Sequence, residues 1–536
     1  MTRNVWIDGT RVSLAAGALL GQGGEAEVYD LGDGRVVKWW KPADHPDFDG
    51  MPDAQRTATQ RIAMAPAKLR ALPGNLPAAV VAPCGFALDS KKRVCGYLMP
   101  KIAGTALHAY GEPRWRREHP IAGEEVIGAL LALHDAIAGL HRAGVVIGDC
   151  NDLNVLVDRR RVHLIDVDSY QYGGFACPMF SERFVDPRLC DAQQLVPIRP
   201  HDEDSDWFAF AVMVFRSLLG VGPWGGVAKS VLPGARALRR HSVLASDVTY
   251  PRAARPLSIL PDDLLATFRA IFERDQRGVF PRVALDQLRL RACTACGEEH
   301  ARVRCPACQA VAHVPPAIVH GRLRYQAIAV ADVTLATRRI GRTGNVWLDG
   351  GALMRSTRLG PQRIGAVLAG QTHAWVGSKL GVGFYRAAGY AVGFVFRPER
   401  GVLDDRVALP KIRGQLVSAH AVVGDDRAWL FLTCAEAGRI ATTCIVIASD
   451  ASVLAAETLP DAAWLTGIGG ACAAGPHLFV PTDEGVARIE VVQRAITATR
   501  VFAETAALVG AGDVLALCSG GLDVIRRRDA IRMQLS

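Results

Sequence analysis

The stretch Val145–Asp158, VVIGDCNDLNVLVD, decides how this sequence is read. Asp149 and Asn154 stand five residues apart, between apolar runs that read as buried strand. An aspartate in such a loop accepts or orients the proton of an attacking hydroxyl, and the asparagine holds a magnesium ion. A lone Asp here would more often be a turn residue or a cap. The reading therefore rests on what lies on either side.

Upstream, GQGGEAEVYDL begins at Gly21 and is followed by RVVKWW, which carries Lys38. A glycine-rich turn between two strands lets backbone N–H groups approach phosphates, because no Cβ blocks them. Gly21, Gly23 and Gly24 supply that turn, Ala26 stands where a third spaced glycine would, and Val28 follows. A lysine on the next strand pairs with the phosphates. Downstream, HLIDVDSYQ begins at His163 and places Asp166 twelve residues after Asn154, where a carboxylate chelates magnesium across the phosphates. Asp168 is a competing ligand. Glycine loop, Lys, Asp, Asn and Asp in this order and spacing would rarely coincide by chance.

On these motifs, residues 1–290 resemble a bacterial eukaryotic-type (Hanks-like) Ser/Thr protein kinase. The resemblance implies a bilobal α+β fold, with a small lobe over about 1–103 and a large lobe over about 104–290. It further implies ATP and Mg2+ as cofactors, and Asp149, Lys38 and Asn154 as catalytic residues. Gly21, Gly23, Gly24, Ala26, Val28, Lys38, Met99 and Asp166 would bind nucleotide, and Asn154 and Asp166 the magnesium. CGYLMPKIAG from Cys95 resembles the strand and hinge that hold adenine, with Leu98–Lys101 at the hinge. DSDWFAFAVMVFRSLLGVGPWGG from Asp204 resembles the large-lobe helix whose buried aspartate, here Asp206, braces the catalytic loop. LLATFRAIFERDQRGVFP from Leu264 puts Arg277 near the position of a lobe-stabilising arginine. The patterns G-D-x-N-x-x-N and D-x-D-S-[FY]-Q resemble a divergent branch found in tellurite-resistance-type stress loci. That branch implies a PP2C-type phosphatase and a von Willebrand A protein as partners.

The sequence departs from the family pattern at several points. Ile147-Gly148 replaces His-Arg before the catalytic Asp, removing the arginine that reads a phosphorylated activation loop. Asn151 stands where a lysine is usual. No glutamate lies between Lys41 and Leu76, so the expected helix partner of Lys38 is missing, and Gln60 or Asp53 is left to substitute. In FVDPRL from Phe184, Arg188 replaces a glutamate and would not pair with Arg277. Ser169, Tyr170, Tyr172 and Ser181 lie on the activation segment as candidate phosphosites. Cys150 reads as a buried neutral thiol, and His141 as a helix-end histidine under the catalytic loop. The retained phosphate lysine, base and metal ligands favour an active enzyme; the alternative is a pseudokinase scaffold that binds nucleotide and assembles partners.

CTACGEEHARVRCPACQA contains Cys293, Cys296, Cys305 and Cys308 as C-x2-C-x8-C-x2-C. Two such knuckles place four thiolates around Zn2+ with no open position, a structural zinc ribbon over 291–315. His300 and His313 are spare ligands. From about 320 to 536 alternating strands dominate. Strand–turn–strand units start at Ala374, Ala428, His477 and Val514, spaced by 54, 49 and 37 residues. That loose period predicts a β-propeller-like domain for partner recognition. NVWIDG at Asn4 recurs as NVWLDG at Asn345, as two tight hairpins would.

Bulk properties exclude several classes. Half of the 536 residues are hydrophobic, and no run approaches the length of a membrane span. The net charge of +9 is dispersed, and Arg159–Arg161 and Arg526–Arg528 read as solvated turns, so nucleic acid is not an expected partner. Thirteen cysteines, scattered singly except for one cluster, and no signal-like start fit a cytoplasmic protein; protein serine or threonine as the acceptor is what the kinase resemblance implies.

Overall fold

The structure, a computed structural model, describes residues 3–535 apart from 229–230, 232, 252–253, 311–322, 334, 342–343, 388–389, 413, 437–438, 460–461, 520 and 527–528. His313, Arg527 and Arg528 lie outside the described residues.

Alternating burial at Val5 and Ile7 begins a hairpin, β1 (Arg3–Ile7) and β2 (Thr10–Leu14), turned at Asp8-Gly9. β3 (Leu19–Gln22), β4 (Ala26–Asp30), β5 (Arg35–Trp40), β6 (Gly85–Leu88) and β7 (Val94–Pro100) complete a seven-stranded sheet in the order β2-β1-β6-β7-β5-β4-β3. Period-2 alternation splits β5 between two cores. Val37 packs outward with Ile7, Leu14 and Leu98, while Val36 and Trp40 face helix α1 (Pro52–Arg70) and the rest of the chain. Lys38 shares that inner face. The strand read from Val80 is shorter, because Pro83 withholds a ladder donor. Val80 instead makes an isolated bridge to Leu164, tying the sheet to the helical part.

Helices follow: α2 (Leu107–Tyr110), α3 (Pro113–Glu118), α4 (Gly123–Arg142), α5 (Glu203–Leu219) and α6 (Asp262–Glu273). α4 buries Ile127, Leu130, Leu133, Ile137 and Leu140 at helical spacing. α5 starts at Glu203, one residue before the stretch read from Asp204. Asp202 caps it, accepting from the Ser205 N–H at 2.8 Å in a capping box. Buried on all sides, α5 is the axle of this lobe. Strand β8 (Thr105–Ala106), just before α2, joins β9 (Val155–Asp158) and β10 (Arg161–Leu164), which lie between α4 and α5, in a small sheet, and the 149–154 loop enters it. Among the described residues no helix is long and apolar enough to cross a membrane.

Beyond 323 the described chain forms five antiparallel sheets. The four strand–turn–strand units are hairpins in four different sheets, and NVWLDG opens the fifth, at 346–366. Strands 373–376, 415–423, 472–474 and 514–518 pack successively side by side. Strand Leu323–Ile328 pairs antiparallel with Ala530–Leu535, so the first and last strands of this region share one sheet. Among the described residues this half touches the first at several places, one of them Lys411, 3.9 Å from Asp49. Arg114 of α3 lies 2.6 Å from His420 Nδ1, and Gly414 approaches Gly24 of the glycine turn.

Candidate active site

Lys38 and the glycine turn are held by the sheet. β3 pairs with β4, the Gly23 N–H donates to the Ala26 carbonyl at 2.9 Å, and the buried Lys41 ammonium reaches the Gly23 carbonyl from below. Asp47 neutralises Lys41 at 2.5 Å. Ala26, Val28 and Met99 belong to the apolar core that runs from the sheet into the helical part. Gly21, Gly23, Gly24, Ala26, Val28, Lys38 and Met99 thus all belong to the sheet and its glycine turn, while Asp166 reaches Lys38 from the turn after β10. At the tip of the turn, Glu25 pairs with Arg61 of α1 at 2.7 Å. Burial, with Asp166 and Asp168 nearby, pushes the Glu25 carboxyl up. Sequence reading missed this pair, though Glu25 inside an otherwise glycine-rich turn was its signal.

On the far side, Asp206 at the start of α5 is fully buried. Its carboxylate accepts from the Ile147 N–H at 2.8 Å, the Gly148 N–H at 2.9 Å and His141 Nε2 at 2.9 Å. The bracing expected of Asp206 is therefore present in geometry, with His141 as a third donor. Gly148 has φ +77°, and a Cβ there would sit 2.7 Å from Cys177. The missing arginine is a steric matter: this backbone admits only glycine at ordinary cost.

Asp149 follows. One of its carboxylate oxygens, Oδ1, is buried with no hydrogen-bond partner. Burial, aided by the Asp166 and Glu25 charges, pushes this carboxyl up to about 7. Asn154 donates through its amide to the Asp149 carbonyl at 3.2 Å, and among the described residues its amide oxygen accepts no hydrogen bond. The Asn154 carbonyl accepts from the Ile165 N–H at 3.0 Å, setting Asn154 beside Asp166. Cys150 is buried, and its thiol is pushed well up by desolvation, as a neutral packing residue.

Asp166 sits in the left-handed region at φ +72°, a conformation Asp tolerates better than most residues. Its carboxylate, 31% exposed, meets Lys38. Asp168, 8% exposed, also takes Lys38, at 2.7 Å, together with the Tyr97 hydroxyl at 3.0 Å and Trp40 Nε1 at 2.8 Å. Burial opposes its charge, but Lys38 and these donors outweigh it and hold the carboxyl below its ordinary range. The expected substitutes are corrected: Gln60 is exposed, and Asp53 pairs with Arg56 on the surface. The partner of Lys38 comes from the turn after β10, not from α1.

Arg188 does not pair with Arg277, which has a carboxylate partner all the same. The Arg277 guanidinium makes a buried two-point pair with Asp186, at 2.7 and 2.8 Å. The carboxylate precedes the proline of FVDPRL, and Arg188 turns instead toward Asp204 at 3.9 Å. Arg216 of α5 is similarly locked to Asp152 and Glu112. The activation-segment candidates fare differently from expectation. Ser169, Tyr170 and Tyr172 are buried, the Ser169 hydroxyl donating to the Asp166 carbonyl and the Tyr172 hydroxyl to the Lys68 carbonyl. Only Ser181 is partly exposed.

Cys293, Cys296, Cys305 and Cys308 bring their sulfurs within 4.8 Å of one another. The Cys293–Cys308 and Cys296–Cys305 separations of 3.7 and 3.5 Å compare with a tetrahedral edge of about 3.8 Å for Zn–S bonds. The group can hold a metal ion, and His300 is not needed for it. The unit is fastened to the large lobe: Glu299 accepts from the Gly123 N–H at 2.8 Å, and Arg302 forks onto Asp262 at 2.7 and 2.8 Å.

No family model matches the sequence, and no curated protein matches it. Among solved structures the chain is similar to the Cydia pomonella granulovirus kinase PK-1, with 13% identity and a TM-score of 0.34, over 50% of this chain and 90% of that one.

Proposed function

We propose that this chain is a bacterial, ATP-dependent protein kinase that transfers the γ-phosphate of Mg-ATP to serine or threonine hydroxyls of a protein. One observation carries the reading. Lys38 from the sheet meets Asp166 from the other lobe under the glycine turn, with the unpartnered Oδ1 of Asp149 and Asn154 beside them. These groups converge from four separate stretches of sequence, and phosphoryl transfer needs this set, since catalysis there is positioning plus electrostatics.

In this mechanism the nucleotide lies beneath Gly21–Val28, with Lys38 on its phosphates and Met99 in the apolar layer behind. Asp166 and the amide oxygen of Asn154 would hold magnesium, which when bound neutralises charge on the phosphates. Asp149 orients the incoming hydroxyl and accepts its proton, a task suited to a carboxyl raised by burial. The buried hydrogen bonds of Tyr172 and Ser169 hold the activation segment without a phosphate, which fits the absence of an arginine before Asp149.

The four cysteines hold structural Zn2+ in a ribbon, and the region from about 320 is a propeller closed by its first and last strands. That domain recognises partners. A PP2C-type phosphatase and a von Willebrand A protein are the partners the sequence resemblance brings forward, in a cytoplasmic stress-response setting.

The test is incubation of pure protein with Mg-ATP, followed by phosphopeptide mass spectrometry, alongside Asp149→Asn. Phosphate on the wild type and none on the variant is expected. Equal phosphate on both, or none on either with a panel of protein substrates, removes the kinase reading; nucleotide binding without transfer supports a scaffold.

A further inference from the structure

The helix-borne carboxylate that would orient Lys38 is absent, yet Lys38 is not loose. Its side chain is 12% exposed and its ammonium is bound by two aspartates two residues apart. These two are not equivalent. Asp168 spends both oxygens inside the protein: Oδ1 on Lys38 and the Tyr97 hydroxyl, Oδ2 on the Trp40 indole. A carboxylate with three buried donors has little left for a cation. Asp166 is more open, and Lys38 is the only side-chain donor on it among the described residues.

We propose that Asp168 is the positioning residue for Lys38, taking over the role of a helix carboxylate, and that of the two aspartates only Asp166 faces the metal. The proposal rests on the kinase reading for its consequence, not for its geometry. Donors to Asp168 come from β5 (Lys38, Trp40) and β7 (Tyr97), paired neighbours in one sheet, where Lys38 stands opposite Tyr97. The lysine is thereby set by the sheet and by the turn at Val167–Ser169, so a displacement of α1 leaves its orientation intact. What α1 controls instead is the glycine turn, through Arg61 and Glu25. Phosphate gripping and helix position are uncoupled at Lys38 and coupled at Glu25.

Two measurements on the full chain test this. The first needs no nucleotide: the labelling rate of Lys38 by an amine-reactive ester, resolved by peptide mass spectrometry. Loss of one charge-assisted hydrogen bond should raise it about 10-fold in Asp168→Asn. Gln60→Ala and Asp53→Asn should leave it unchanged. Tyr97→Phe, which removes only a hydroxyl donor, should give a rise of about 3-fold and serves if Asp168→Asn does not fold. The second is binding of a fluorescent ATP analogue as Mg2+ is titrated. Asp168→Asn should weaken nucleotide about 10-fold with the Mg2+ midpoint unchanged, whereas Asp166→Asn should move that midpoint. Wild-type labelling in both Asp168→Asn and Tyr97→Phe, a rise in Gln60→Ala, or a Mg2+ midpoint moved by Asp168→Asn would overturn the proposal. A wild type that binds no nucleotide would sink the kinase reading, and the labelling arm would still decide the role of Asp168.

Discussion

Asp206 is the most consequential single carboxylate outside the reacting groups, and its removal has a calculable local effect. Three donors converge on it: two consecutive backbone N–H groups at 2.8 and 2.9 Å, and His141 at 2.9 Å. With the side chain fully buried, no water replaces a lost acceptor. In Asp206→Asn the new NH2 confronts one of these donors. One charge-assisted bond is lost and one buried donor stranded, a cost of about 2–3 kcal/mol. Asp206→Ala strands all three donors, for about 5 kcal/mol. The effect is read at the Ile147 and Gly148 amides by hydrogen exchange of a peptide spanning 145–150. A loss of 2–3 kcal/mol should speed exchange about 50-fold in the Asn variant, and further in the Ala variant. Strand 427–436 in the far half should keep its protection. Exchange at 147–148 within about 3-fold of wild type, or equal quickening in both halves, would refute the reasoning.

Other outcomes follow from geometry already given. Restoring His-Arg before Asp149, as Ile147→His with Gly148→Arg, should lower the thermal midpoint instead of raising activity. A side chain at φ +77° meets Cys177 at 2.7 Å, which costs about 1–3 kcal/mol or more. Glu27 is buried among Arg3, Tyr29 and His45; burial works against its charge, but the His45, Tyr29 and Arg3 contacts prevail and hold it down to about 2. Its contribution is complete above the ordinary carboxyl range and is lost as pH falls toward about 2. The stability gap between wild type and Glu27→Gln, about 3 kcal/mol at neutral pH, should therefore narrow steadily below about pH 4.5 in calorimetry. Mercurial release into a chromogenic chelator should report about one zinc per chain. Cys305→Ser should lose the metal and speed exchange at Gly123, whose N–H rests on Glu299.

What was legible in the sequence was chemistry carried by contiguous residues. The glycine turn, Lys38, Asp149, Asn154 and Asp166 announce themselves because each sits in a short stretch whose neighbours define its backbone. Helix α4 and the hairpins of the second half were legible because periodicity is local. Pairings across the chain were not. Asp186 meets Arg277 over 91 residues, and its place before the proline, not after it, defeated a positional reading. Asp168 looked like a rival metal ligand, since the Trp40 and Tyr97 donors that occupy its oxygens lie on strands distant in sequence. Of the fifth sheet only the hairpin at Asn345 was legible, because its strands, at 346–366, carry few fully buried residues and so a weak alternation.

The pairing of Leu323–Ile328 with Ala530–Leu535 also fixes an order in time. During synthesis the first lobes, with short-range helices and hairpins, can fold while the chain is still growing. The second half cannot finish until residues 530–535 have left the ribosome, because its first strand waits for its last. Until then strand 323–328 presents an unpaired edge. Late truncations should therefore harm the yield of the second half far more than their few residues would imply, while the lobes that carry Lys38 and Asp149 have already formed.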